Sequence, residues 1–228
     1  SAGAVYLDSI PTSGTSDLDG LGVVIWGALA GDRLGSSVVI GDFDGDGVDD
    51  LAAGASGRDD AGGSSGAVYL FLGPLASGRY SATTADDASV SGSGSSEQLG
   101  TKATLLGDQD GDGADELAAA GIGTSGGFVS IISGLSSGSA SASSFPEISA
   151  DSSGDNFAYS LDGTGDLDGD GVDDLLVGAP TVDFSGSSSA GAAYVFHGPL
   201  TANMSASDGE AFLGTSSAGY VGYEVSIG

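Results

Sequence analysis

The chain has 228 residues, enough for one domain or a pair of small ones. Its 32 Asp and Glu against 4 Lys and Arg exclude a surface that neutralises nucleic-acid phosphates and disfavour an anionic membrane. It has no Cys, so disulfides and thiolate metal sites are excluded, and no apolar run approaches the roughly 18 residues of a spanning helix.

Glycine is abundant at 43, yet 39% of the residues are hydrophobic, and they fall in short runs bounded by Gly, Ser and Asp. That is a pattern of short strands and turns rather than of disorder. In chain order, Gly3-Ala4-Val5-Tyr6-Leu7 and Val23-Val24-Ile25-Trp26 read as two strands. Between them Asp17-Leu18-Asp19-Gly20 looks like an acidic metal loop. The register of Val24-Ile25-Trp26-Gly27 and Leu34-Gly35 against Ala211-Phe212-Leu213-Gly214 and Val221-Gly222 places it instead in a connection between strands, and no metal is assigned there.

From residue 34 a pattern begins that recurs. A strand at 37–40 leads into Gly41-Asp42-Phe43-Asp44-Gly45-Asp46-Gly47-Val48-Asp49-Asp50-Leu51. A small-residue strand follows at 51–55, a third at 66–71 and a weaker fourth near 88–90. The succession repeats with a strand at 102–106, the loop from Gly107 to Leu117, and strands at 117–121, 127–132 and 146–149. It repeats again with 159–161, the loop from Gly165 to Leu175, and strands at 175–179, 191–196 and 210–213. Residues 3–7 and 23–26 match the third and fourth strands of such a unit, and 223–227 match a first strand.

Four short antiparallel strands in each unit of about 60 residues is the pattern of a propeller blade. The sequence therefore predicts an all-β fold, a β-propeller of four-stranded antiparallel blades, with three complete blades and a split fourth. The expected single domain, 1–228, divides into a partial N-terminal unit at 1–33, blades at 34–98, 99–156 and 157–220, and a partial strand at 221–228. The chain opens Ser1-Ala2-Gly3 without Met, as a processed or trimmed chain would.

The recurring loop is a cation cage. Asp42, Asp44, Asp46 and Asp50 stand at positions 1, 3, 5 and 9, and alternate residues of a tightly curled loop point inward. Gly47 permits the turn, because positive φ is cheap only for Gly. Single oxygens from the first three carboxylates, the carbonyl of Val48 and both oxygens of Asp50 supply about six oxygens, which suits Ca²⁺. The same roles fall to Asp108, Asp110, Asp112, Ala114 and Glu116, and to Asp166, Asp168, Asp170, Val172 and Asp174. Glu116 adds a methylene, which predicts a looser second site. Asp49, Asp115 and Asp173 at position 8 should point away from the ion. An EF-hand needs a Glu at position 12 and a following helix. Position 12 is Ala53, Ala119 or Val177, and strand follows. Three calcium sites are expected.

The order Leu34-Gly35, acidic loop, Gly54-Ala55-Ser56 resembles the FG-GAP repeat of integrin α-subunit propellers, and Phe157-Ala158, loop, Gly178-Ala179-Pro180 matches it most closely. The second unit departs, with Ala120-Gly121-Ile122 after its loop. The resemblance implies a propeller with Ca²⁺ between the first two strands of each blade, an extracellular or cell-surface setting, and adhesion or protein recognition. Such propellers commonly have more blades than this chain supplies. It is then a fragment, a small closed ring, or one of several copies that complete one another through the split blade.

No catalytic constellation stands out. His197 is the only histidine and reads as structural, and no G-x-S-x-G elbow or phosphate loop is present. Trp26 and the seven Tyr read as core residues of the strands. The expected function is a non-catalytic, calcium-stabilised interaction or structural module whose partner is another protein or a further copy of itself. The alternative is a carbohydrate-binding or hydrolase-associated propeller with a glycan ligand.

Overall fold

The computed structural model describes residues 2–7, 22–59, 62–82, 86–123 and 126–227. Asp17 and Asp19 lie outside them. Among the described residues the chain is all-β, apart from two single-turn 3₁₀ segments, and forms four sheets.

The N-terminal sheet pairs β1 (Ala4–Leu7) with β2 (Val23–Trp26). The first full unit runs β3 (Leu34–Gly41), β4 (Asp50–Ala55), β5 (Ala67–Phe71), then β6 (Gly78–Ser81) and β7 (Ala88–Ser91). The second runs β8 (Lys102–Leu105), β9 (Leu117–Gly121), β10 (Phe128–Ile132), β11 (Gly138–Ser141) and β12 (Glu147–Ser149). The third runs β13 (Ser160–Asp162), β14 (Leu175–Ala179), β15 (Ala192–Phe196), β16 (Met204–Ser205) and β17 (Glu210–Leu213). In each unit the four expected strands pair antiparallel in chain order, as in β3-β4-β5-β7 and β13-β14-β15-β17.

β6, β11 and β16 were not expected. Each leaves the connection between the third and fourth strands of its own unit and lies parallel on the fourth strand of the preceding unit. β6 pairs with β2, β11 with β7 and β16 with β12. Sequential units are therefore laced together by backbone hydrogen bonds as well as by packing.

The strands alternate side chains between two faces, and β4 and β9 are covered on both. Leu51 and Ala53 of β4 join Val5, Val23 and Ile25 of the N-terminal sheet in one core cluster. Ala52, on the opposite face, joins Leu117 and Ala119 of β9 in the next. Ala118 and Ala120 then face Leu175, Val177 and Ala179 of β14. This explains why β4 and β9 are so rich in Ala and Gly: they are buried from both sides, and small side chains let neighbouring sheets approach.

Gly54 shows how close that approach is. A Cβ there would lie 2.1 Å from the Gly100 carbonyl oxygen and 2.4 Å from Ser37 Oγ, and that hydroxyl donates to Gly100 O at 2.9 Å. The third unit repeats the arrangement with Gly178, Ser160 and Gly222. The dipeptides that begin each unit act as joints. The N–H groups of Leu34, Leu99, Phe157 and Val221 donate to Ala2, Ser65, Gly126 and Ala190 of the preceding unit at 2.8–3.1 Å.

Two expectations are corrected. Residues 223–227 form no strand; Val221 bridges Gly191, and the chain then follows an irregular path on which the Ile227 N–H donates to Asp162 Oδ2 at 2.8 Å. With no second strand beside it, this stretch has no ladder to join. Trp26 is not a core residue: it is 39% exposed on β2, edge-on to the exposed Tyr6. Of the tyrosines, Tyr69 and Tyr194 are buried, whereas Tyr6, Tyr220 and Tyr223 are exposed and not core residues either.

Candidate metal centre

Each acidic loop joins the first strand of a unit to the second, so the hairpin fixes its two ends. Inside the loop, the first Asp organises the turn by accepting backbone N–H groups. Asp42 Oδ2 accepts from Gly47 at 2.8 Å and its Oδ1 from Asp46 at 3.1 Å. Asp108 accepts from Gly111 at 2.7 Å and Gly113 at 3.0 Å, and Asp166 from Gly169 at 2.6 Å and Gly171 at 2.8 Å. These bonds hold the exposed Asp166 carboxyl below the usual Asp range. Two glycines per loop make the curl possible: Gly45 and Gly47 have φ of 74° and 84°, and the corresponding pairs in the other loops are also left-handed. The sequence pointed only to the second of each pair.

The ninth residue ties the loop to its base. Asp50 accepts from the N–H of Phe43 at 2.9 Å through one oxygen and from Gly73 at 2.7 Å through the other. Asp174 does the same with Leu167 and Gly198, at 2.7 and 3.0 Å. Glu116 takes the N–H of Gln109 on Oε2, but its Oε1 is buried without any hydrogen-bond partner. Burial raises the Glu116 pKa to about 7, against the Gln109 hydrogen bond and with the charges of Asp110, Asp112 and Asp108 adding to the rise. A cavity of about 210 Å³, lined by Asp110, Ser133, Leu200 and Thr201, opens beside this carboxyl.

Ligand atoms of Asp42, Asp44 and Asp50 lie within 4.8 Å of one another, as do those of Asp108, Asp110 and Glu116. Asp46 and Asp112 stand outside these groups; each accepts the N–H two residues on, from Val48 at 2.8 Å and Ala114 at 2.9 Å. The third loop differs: Asp166, Asp168 and Asp170 converge, and Asp168 and Asp174 converge separately with His197. Val48, Ala114 and Val172 each follow the second glycine, at the return of the loop.

The donors are carboxylates, with none of the sulfur that would favour softer ions. The orphaned Glu116 oxygen is what a cation would satisfy, because a buried acceptor without a partner is costly. On donor chemistry and on that oxygen, the residues fit Ca²⁺.

Two of the position-8 residues, Asp115 and Asp173, prove to be connectors. Asp115 Oδ2 accepts the N–H of Asp42 at 3.0 Å, and the Asp115 N–H donates to Asp42 O at 2.7 Å. Gln109 Nε2 donates to Asp173 O at 2.9 Å, and its Oε1 accepts from Leu200 at 3.0 Å. The three loops thus form one chain of contacts. His197, which the sequence offered only as a structural residue, sits 3.2 Å from Asp174 Oδ2 and 3.6 Å from Asp168 Oδ2. The Asp174 hydrogen bond raises its pKa, with the Asp168 and Glu210 charges adding to the effect. The signal was its place directly after the third strand, where the other units carry Leu72 and Ser133.

A family profile described as FG-GAP repeat matches residues 34–71 and 157–196, which span the first strand, acidic loop, second strand and third strand of the first and third units. The chain carries two FG-GAP repeats. The middle unit has the same loop and the same strand order, and its departures, Lys102 and Ala120, fall where the matched repeats have Ser and Gly. No curated protein matches the chain. Among the described residues no helix is long and apolar enough to cross a membrane.

Proposed function

We propose that this chain is a non-catalytic, calcium-binding FG-GAP propeller module that serves protein recognition, adhesion or assembly outside the cell. The observation that carries the reading is the threefold acidic loop, with the buried, partnerless Glu116 Oε1 at the base of one copy. The ligands are Asp42, Asp44, Asp46, the Val48 carbonyl and Asp50; Asp108, Asp110, Asp112, the Ala114 carbonyl and Glu116; and Asp166, Asp168, Asp170, the Val172 carbonyl and Asp174. Calcium would neutralise carboxylates that otherwise repel, and so hold each hairpin closed.

The sheets read as blades of a propeller, with units at 1–33, 34–98, 99–156, 157–220 and 221–228. Stacking of successive sheets through shared core clusters supports this. Among the described residues β1 pairs with β2 on one side and with no strand on the other, where β5, β10 and β15 each have a second strand. That open edge can pair with a strand of a protein partner or of a second copy. A non-catalytic role accords with a single His and 4 Lys and Arg, which leave little from which to build an acid–base site. The extracellular or cell-surface assignment rests on the usual setting of FG-GAP domains.

Calorimetric titration with Ca²⁺ tests the reading. Three calcium ions per chain are expected, and a chain that takes up none refutes it. A second reading, glycan binding, draws on the exposed Trp26 and Tyr6, with Arg79 5.9 Å from the Trp26 ring. A glycan array separates the two.

A further inference from the structure

We propose that the third loop, alone among the three, presents a mixed nitrogen–oxygen site for a first-row transition ion such as Zn²⁺, made by Asp168, Asp174 and His197. The ligand atoms of these three side chains lie within 4.8 Å of one another. His197 Nδ1 is 3.2 Å from Asp174 Oδ2 and 3.6 Å from Asp168 Oδ2. Zinc binds imidazole nitrogen and carboxylate oxygen at about 2.0–2.2 Å in a tetrahedron, which places neighbouring donors roughly 3.4 Å apart. The two distances bracket that value. Three protein donors leave the fourth position to water.

The first two loops cannot do this. The residue after their third strand is Leu72 or Ser133, and His197 is the only imidazole in the chain. Imidazole suits zinc, copper and nickel, whereas calcium prefers an all-oxygen shell. The surroundings of His197 also suit a ligand. Asp174 is fully buried, and the N–H groups of Leu167 and Gly198 orient its carboxylate. On the far side of the ring, Glu210 Oε2 on β17 lies 4.0 Å from Nε2. At that distance the carboxylate adds negative charge beside the ring without a hydrogen bond to its second nitrogen.

Asp168 and Asp174 are also in the proposed calcium set, so zinc and calcium compete at this loop and at neither of the others. The zinc site depends on His197 and not on calcium at any loop, so the two readings fail separately.

The test is titration of the calcium-free full chain with ZnCl₂, by calorimetry and by ¹⁵N NMR of the single imidazole. One zinc per chain is expected, with the His197 ring resonances shifted at one equivalent. His197→Ala should weaken zinc by on the order of tenfold or more, while Asp46→Ala in the first loop leaves it unchanged. The His197 side chain is 40% exposed, so the variant should fold, and its melt in calcium checks this. Imidazole resonances unmoved by zinc, or a His197→Ala chain that binds zinc as tightly as the parent, would overturn the inference. Zinc binding without any calcium binding would refute the calcium reading and leave this one standing.

Discussion

Asp115 of the second loop holds the backbone of Asp42 in the first, accepting its N–H at 3.0 Å and donating its own N–H to the Asp42 carbonyl at 2.7 Å. Asp42 is in turn the residue that curls the first loop. The two loops are therefore shaped together, and a change in one is felt at the other. Asp115→Ala should cost about 1.5–3 kcal/mol, the range for a hydrogen bond to a charged group. It should also lower calcium affinity at the first loop, although Asp115 belongs to the second. Asp115→Asn, which keeps an acceptor, should restore much of both. Urea melts and calcium titration of the two variants check this.

Asp46→Ala should reduce calcium stoichiometry by one and leave the second and third loops intact. Asp46 Oδ1 accepts only from Val48 within its own loop, so its loss should not disturb the chain of contacts between loops. Calorimetric stoichiometry decides.

Glu116 predicts a pH dependence in calcium-free protein. Its folded pKa of about 7 lies above the ordinary value of 4.5. The fold therefore favours the protonated carboxyl, and this contribution is complete below about pH 4.5 and lost as pH rises through about 7. In chelator, part of the fall in melting temperature between pH 5 and 8 should vanish in Glu116→Gln. Calcium should reverse the trend, because a cation favours the ionised form. A Glu116→Gln chain with the parent's pH profile in chelator would argue against this role.

Gly54→Ala tests the close approach of units. Its Cβ would meet the Gly100 carbonyl oxygen at 2.1 Å, which no rotamer change relieves. A loss of about 1–3 kcal/mol is expected from overpacking. Gly178→Ala, facing Gly222, should behave alike. The second unit carries Ala120 at this position, opposite Ala158 rather than Gly, so its joint has diverged on both sides. Denaturation midpoints compare the variants directly.

Much of this was legible in the residues. The acidic loops stand out because calcium chemistry needs carboxylates at fixed alternate positions. β4 and β9 stand out because burial from both sides favours small residues such as Ala52, Ala53, Ala118 and Ala119. β6, β11 and β16 were hidden, since Gly138-Ser139-Ala140-Ser141 carries no strand pattern. Its strand character comes from Ala88–Ser91, in another unit. The unpaired course of 223–227 was hidden for the converse reason: its alternation is strand-like, but a strand needs a partner. His197 was overlooked because its contact with Asp168 comes from folding and not from sequence proximity.

The most direct measurement is a thermal melt in about 1 mM calcium and again in excess EGTA. When free calcium is about 100-fold above Kd, each bound ion adds about 2.7 kcal/mol to stability. One kcal/mol moves the Tm of a chain of this size by roughly 2–4 °C. Occupied loops that clamp three hairpins therefore predict a Tm lower by on the order of 10 °C or more in EGTA. A melt that EGTA leaves unchanged would contradict calcium as what holds these loops closed.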